Sequence, residues 1–181
     1  MKVDAVKTFE EIKQKLHESG DLLNRSVQFF GTQIMLVFVA DLVDDQLLSD
    51  SVVHPMCCYL GQIKQDVVTE LKNKVLADCS LSSAYDLDEA ITKLLQGNCL
   101  LLVDGAEEIL SANVEKIVVR AVAEPPTSVV IKGPREGFNE SIKYNLNLIR
   151  RRVKSDDLVV NTLEIGKLTK TQVAVVYFNS V

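Results

Sequence analysis

"SGDLLNRSVQFFGTQIMLVFVADLV", residues 19–43, is answered near the other end of the chain by "KSDDLVVNTLEIGKLTKTQVAVVYFNSV", residues 154–181. Asp21-Leu22 matches Asp157-Leu158. Gly31, Thr32 and Gln33 resemble Gly166, Thr171 and Gln172, with four extra loop residues in the second copy. Residues 34–39 follow residues 173–178 position for position in apolar character. A glycine turn between two strand-forming runs is the pattern of a β-hairpin. A helix precedes each copy, with Phe9, Ile12 and Leu16 at 3,4 spacing in the first and Leu146, Ile149 and Val153 in the second. Two helix–hairpin units predict an α/β protein of the α+β kind. It should hold two small αβ subdomains, each a mixed sheet packed with helices, over residues 1–123 and 124–181. Because many small folds contain an α-β-β unit, the echo bears on architecture and not on function.

The segments between fill in the first unit. Strands are predicted over 25–31 and 33–40, the second apolar enough to be covered on both faces. Residues 44–60 return to helical spacing, with Pro55 as a break point. Residues 62–74 carry Ile63, Val67 and Leu71 one turn apart and read as helix. Asp86 is a suitable N-cap, Glu89 stands at the capping-box position and Gly97 lies just past the end. "NCLLLVDGAEEIL" (98–110) reads as strand, Asp104-Gly105 turn, strand. "EPP" at 124–126 is a linker by its paired prolines, and residues 128–131 form a short strand after it.

Composition narrows the class. With 47% apolar residues the chain can build a packed core. A net charge of −5 argues against general nucleic-acid affinity. From Lys132 to Lys154, however, seven Lys or Arg stand against Glu136 and Glu140, a cationic stretch on an acidic body. No apolar run reaches the ~18 residues of a membrane helix, and "MKVDAVKTFEEIKQKL" is too charged for a secretory signal. Cys57, Cys58, Cys79 and Cys99 show neither a metal-ligand nor a redox spacing and read as buried thiols. His17 falls on the polar side of the first helix and His54 stands alone before Pro55. No nucleophile motif and no metal cluster is present, so the sequence offers no catalytic residue and calls for no cofactor.

The motif with chemical content is "GPREGFNES" (133–141), heading a helix that ends in Arg150-Arg151-Arg152. As a Walker A loop it fails, because Phe138 follows Gly137 where a lysine is needed. Its backbone amides and Arg135 could still hold an anion; alternatively Gly133, Pro134 and Gly137 shape a turn, Glu136 favours the helix start and Phe138 anchors it. Three successive arginines span roughly 200° of a helix. They cannot all face solvent alike, so at least one should reach a carboxylate or a partner. The sequons Asn24-Arg25-Ser26 and Asn139-Glu140-Ser141 have no secretory context and carry no weight.

Taken together, residues 124–181 resemble the A subunits of GerA-family spore germinant receptors. The matching positions are Glu124-Pro125, Gly133 through Phe138, Glu140, Asn145, Leu148 through Arg152, Gly166, and Thr169 with Thr171. The first 120 residues resemble the family in layout only. Ser128 stands where the family pattern is commonly acidic, and Lys132 replaces its usual Arg. Family A subunits continue into a membrane region, so the chain resembles their soluble N-terminal domain.

The resemblance implies a non-enzymatic part of a nutrient germinant receptor, with B and C subunits and possibly other A subunits as partners and no nucleic acid. It implies the inner spore membrane as location, with this domain on the spore-core side. Subunit assembly and signal transmission would be its work. Glu124, Lys132, Arg135, Glu136, Phe138, Asn145, Arg150, Arg151 and Arg152 are the interface or ligand-binding candidates, shaped by the turn at Gly133, Pro134 and Gly137. Two other readings compete: a module that closes on a small germinant or ion between two subdomains, and an enzyme of phosphate esters resting on the glycine turn and Arg135 alone.

Overall fold

The computed structural model describes residues 2–63, 66–116 and 137–179. The "EPP" linker, the strand expected over 128–131 and the boundary at 124 lie outside these residues. So do Glu124, Lys132, Gly133, Pro134, Arg135 and Glu136.

Helix α1 (Ala5–Lys15) is capped by Asp4, whose carboxylate accepts from the Lys7 amide, and it buries Ala5, Thr8 and Ile12. Strands β1 (Leu22–Phe29) and β2 (Thr32–Val39) follow as an antiparallel hairpin in the register Leu22↔Val39 to Phe29↔Thr32. Its turn places Phe30 and Gly31 at φ of 48° and 83°. Both central residues of such a turn must be left-handed, which suits Gly31 and strains Phe30. The Phe30 ring is held there against Phe29 and Tyr59, at centroid distances of 5.0 and 6.1 Å.

Helical excursions come next. Helix α2 (Asp45–Leu48) runs through a π-wide turn, Ser49–Val53, into α3 (His54–Cys58). Pro55 does not end the run, as the sequence had suggested it could. The backbone widens just before it, which relieves the clash of its ring with the preceding turn. Helix α4 (Val67–Glu70) passes into a second π-wide turn, Leu71–Val75. A four-residue strand, β3 (Leu81–Ala84), had no visible signal, because "LSSA" is too short to show alternation. Helix α5 (Leu87–Leu95) has the anticipated Asp86 cap on the Glu89 amide. Glu89 reaches back to the Tyr85 amide, and Gly97 follows at φ 88°.

Strands β4 (Asn98–Val103) and β5 (Ile109–Asn113) complete a sheet of order β1-β2-β4-β5-β3. Every pairing in it is antiparallel, where mixed sheets had been expected. The long excursion after β2 leaves and re-enters at the same end of the sheet, since Val37 pairs with Leu100 and Ile34 with Val103. A parallel partner would have needed a crossover to the opposite end. Residues 34–37 and 99–103 are buried at consecutive positions, so β2 and β4 are covered on both faces.

Helix α6 (Ile142–Arg152) starts at Ser141, whose hydroxyl accepts from the Tyr144 amide, and buries Leu146, Asn147, Leu148 and Arg150. It leads into a second antiparallel hairpin, β6 (Leu158–Ile165) and β7 (Thr171–Phe178), in the register Leu158↔Phe178 to Ile165↔Thr171. The helix–hairpin unit thus occurs twice, and the two hairpins share a closing detail. The Ala40 amide donates to the Asp21 carbonyl at 2.9 Å, and the Asn179 amide to the Asp157 carbonyl at 2.9 Å.

Of the four cysteines, Cys99 is buried and Cys79 half-buried, whereas Cys57 and Cys58 are exposed. They stand on the last turn of α3 opposite buried Met56, and the Cys58 sulfur lies 3.5 Å from His54 Nε2. Helical rotation carries two adjacent residues outward once Met56 is fixed inward.

Candidate functional site

The largest buried side chain that is charged lies between the two units. Arg150 is 2% exposed, and its partner Asp21, in the turn between α1 and β1, is 6% exposed. Arg150 Nε donates to Asp21 Oδ2 at 2.8 Å and Nη2 to Oδ1 at 2.9 Å, a two-bond fork in the geometry that suits guanidinium and carboxylate. Nη2 also donates to the Ser19 hydroxyl at 3.0 Å. Ser19 in turn donates to Asp21 Oδ1 at 2.6 Å and accepts from the Val160 amide of β6 at 2.9 Å. The Gly20 amide donates to the Val160 carbonyl at 2.8 Å. Three residues of the first unit thereby hold a helix residue and a strand residue of the second.

The clamp is not fully satisfied. Arg150 Nη1 and Asn147 Oδ1 are buried without a hydrogen-bond partner, although Asn147 Nδ2 donates to the Asp41 carbonyl at 2.6 Å. Burial, and then the neighbouring Asp21 carboxylate, push the Asp41 carboxyl above its ordinary range.

A second pair runs in the opposite sense. His17 and Glu18 take left-handed φ values of 52° and 55° where α1 ends. This turns the His17 ring toward the second hairpin. Its Nε2 lies 3.1 Å from Asp157 Oδ1, and its Nδ1 is 3.0 Å from Asn179 Nδ2. With the amide donating to Nδ1, Nε2 carries the proton and donates to Asp157. Asp21 and Asp157 are the matched positions of the sequence echo. Each receives a basic side chain from the other unit.

The candidate residues that are described separate clearly. Phe138 is 69% exposed, and Gly137 is exposed beside it. Asn145 folds the approach to α6, accepting from the Asn139 amide at 2.9 Å and donating to its carbonyl at 2.7 Å. Arg150 faces inward, Arg151 is half-buried and Arg152 is exposed. Of the two outcomes expected for at least one arginine, a carboxylate or a partner, Arg150 takes the first, on Asp21 within the chain. Sequence reasoning did not single out Ser19, Asp21, Asn147, Asp157 or Asn179 as contacts. The echo had already paired Asp21 with Asp157, and that match of two acids was the available signal.

The surface also holds two open depressions, neither lined by the junction residues. One of about 290 Å³ lies between α5 and the 154–156 segment, lined by Asp88, Ile91, Thr92, Leu95, Gln96, Lys154 and Asp156. Another of about 470 Å³ is lined by acidic and small residues including Asp66, Asp104, Glu107 and Glu108. Among the described residues no group of three or more His, Cys, Asp or Glu is placed to hold a metal ion. No helix among them is long and apolar enough to cross a membrane.

The architecture is that of an α+β protein in which two helix–hairpin units are joined by one buried ion pair, Arg150–Asp21, and one half-exposed pair, His17–Asp157. It superposes on the crystal structure of the N-terminal domain of the A subunit of the Bacillus megaterium spore germinant receptor GerK3. That match has a TM-score of 0.71 at 23% identity and covers 98% of this chain and 66% of that one. The family model described as Bacillus/Clostridium GerA spore germination protein matches residues 10–181, and the chain belongs to this family. Among curated relatives, spore germination protein KA of Bacillus subtilis is 27% identical over 179 residues, covering 97% of this chain and 33% of that protein. Spore germination protein GerLA of Bacillus cereus is 27% identical over 174 residues, covering 95% and 35%. The chain spans about a third of the length of these relatives.

Proposed function

We propose that the chain is the N-terminal domain of the A subunit of a nutrient germinant receptor, with no catalytic step of its own. It acts in spore germination through subunit assembly and by transmitting a signal to the membrane complex. Its partners are the B and C subunits, and its place is the spore-core side of the inner spore membrane. The observation that carries this reading is the buried Arg150–Asp21 fork with its Ser19 and Val160 contacts. A buried ion pair is weak evidence for stability, yet its fixed geometry specifies one arrangement of the elements it joins. A force applied to the second unit would therefore move the first with it. Arg151, next to Arg150 on α6, is half-buried.

The test is charge reversal at Arg151 in the full receptor, with nutrient-triggered germination and receptor assembly measured in spores. Loss of either, with the isolated chain still folded, supports the reading. Normal germination with Arg151→Glu would sink it.

The depression between α5 and residues 154–156 favours a second reading, a small-ligand module. Asp88, Lys154 and Asp156 place charges of both signs around a space of about 290 Å³, which suits a zwitterion or a small ion. An NMR titration with amino acids, sugars and inorganic ions separates the two. Saturable shifts at Gln96 and Lys154 favour the module; a folded spectrum that ignores the whole panel favours the coupling role.

A further inference from the structure

His54, Cys57 and Cys58 all stand exposed on α3 and take no part in joining the two units. Buried Val52, Val53 and Met56 fix the rotation of this helical run about its axis, so positions 54, 57 and 58 turn outward together. The π-wide turn Ser49–Val53 ends at His54, and such turns often sit beside functional residues. Cys58 follows His54 by about one helical turn, and its sulfur lies 3.5 Å from His54 Nε2. The sequence gave this spacing no weight, because the cysteines were expected to be buried. A histidine and a cysteine four residues apart acquire chemical content once both are exposed on one helix face.

In a tetrahedral zinc site a thiolate sulfur sits about 2.3 Å from the metal and an imidazole nitrogen about 2.0–2.1 Å. At the tetrahedral angle two such ligands are about 3.5 Å apart, which is the separation His54 and Cys58 already have. We propose that these two side chains form a chelate for a borderline-soft divalent cation, of which Zn²⁺ is the type. Water completes the coordination, since Cys57 is exposed beside them but no third His, Cys, Asp or Glu among the described residues is placed to join. On binding, the Cys58 S–H gives its proton to solvent, and the sulfur and Nε2 each donate a lone pair to the metal. The pair lies at the carboxyl end of the helical run, where the negative end of the helix dipole favours a cation. Thiolate with imidazole selects zinc over magnesium and calcium, which oxygen ligands suit. With half the protein ligands of a closed structural site, the dissociation constant should be on the order of 1–100 μM. Affinity of that order fits a site filled and emptied as zinc rises and falls, not one on which the fold depends. This goes beyond the receptor reading, and its failure would leave that reading standing.

The test titrates Co²⁺, a weaker-binding stand-in for zinc, into the 181-residue chain up to roughly 1 mM. A thiolate-to-cobalt charge-transfer band in the near ultraviolet is expected, and Zn²⁺ should abolish it as the tighter binder. Oxygen ligands alone, such as those around Asp66, Asp104, Glu107 and Glu108, give no such band. His54→Ala and Cys58→Ser should each weaken binding about tenfold or more, while Cys57→Ser leaves it within about twofold. Should a variant misfold, the wild-type chain gives the same information: saturating Zn²⁺ should slow alkylation of Cys58 about tenfold or more, as peptide mapping would read. No band across the titration overturns the proposal. So does a band that survives either ligand substitution or is lost with Cys57→Ser, and so does alkylation of Cys58 at a rate that zinc leaves unchanged.

Discussion

Replacing Arg150 with Met tests the central contact most directly. Met keeps the aliphatic stem and removes the guanidinium, so the Asp21 carboxylate stays buried with only the Ser19 hydroxyl donating to its side chain. Removing one partner of a buried pair costs about 3–5 kcal/mol, because the remaining charge is left uncompensated. Most domains hold only ~5–15 kcal/mol in total, so the variant should lose a large share of its stability. The unpartnered Nη1 of the wild type puts the expected value toward the lower end. Urea unfolding at neutral pH measures it. Asp21→Asn should cost a similar amount by stranding the cation. The double variant should be less destabilised than the sum of the singles by about 2 kcal/mol or more, since residues in one network do not add. Arg151→Met is the control, with a loss below about 1 kcal/mol expected for a half-buried side chain outside the network. A loss under about 1 kcal/mol for Arg150→Met, or additivity within ~0.5 kcal/mol, would refute the idea that this pair locks the two units.

Three further outcomes follow from the same structure. Asp41 has its folded carboxyl raised above the usual value by burial and by Asp21, so the folded state binds its proton more tightly than the unfolded chain does; wild-type stability should therefore fall as pH rises from about 4 through the raised value, and Asp41→Asn should remove that part of the slope in urea midpoints taken between pH 4 and 7. Burial pushes the Cys99 thiol far up and the Cys79 thiol up; in native protein a thiol reagent should label the exposed Cys57 and Cys58 promptly and leave Cys99 unreacted until unfolding, as peptide mapping would read. Gly97→Ala should cost about 1–3 kcal/mol by thermal or urea unfolding, because φ is 88° there and a Cβ would sit 3.0 Å from the Leu42 carbonyl oxygen.

The strongly periodic parts of this fold were legible because their signals are local. The two hairpins, α5 with its Asp86 cap and Gly97 stop, and the β4–turn–β5 segment all follow from residues a few positions apart. β3 was not legible: four residues with two serines gain their strand conformation only by pairing with β5. The π-wide turns beside Pro55 and after Glu70 were equally hidden, since they answer to packing and to one missing amide. For the site, three consecutive arginines on one helix turn were reason to place at least one of them on a carboxylate or a partner. They could not say which, because Asp21 lies 129 residues away from Arg150. His17 was assigned to a polar helix face, when in fact two left-handed residues end the helix there and swing the ring across to the other unit. Left-handed His and Glu are rare enough that no local rule would have foreseen them.

What joins the units is an exchange, and that has a consequence for how they can move. Arg150 of the second unit meets Asp21 at the start of the first hairpin, while His17 of the first unit meets Asp157 at the start of the second. The two acids hold matched positions in a repeated sequence, and each hairpin closes over its own acid's carbonyl through the same backbone bond. Two such contacts, crossing in opposite senses and fixed to hairpin roots, resist sliding and hinging together, because opening one displaces the strand that carries the other. An apolar seam of similar area would tolerate small shifts at little cost; directed hydrogen bonds, above all the buried ones of Arg150, lose most of their strength when misaligned. The arrangement therefore suits a part that passes on a displacement whole instead of absorbing it, and that favours the coupling role over a clamshell that must open to admit a ligand.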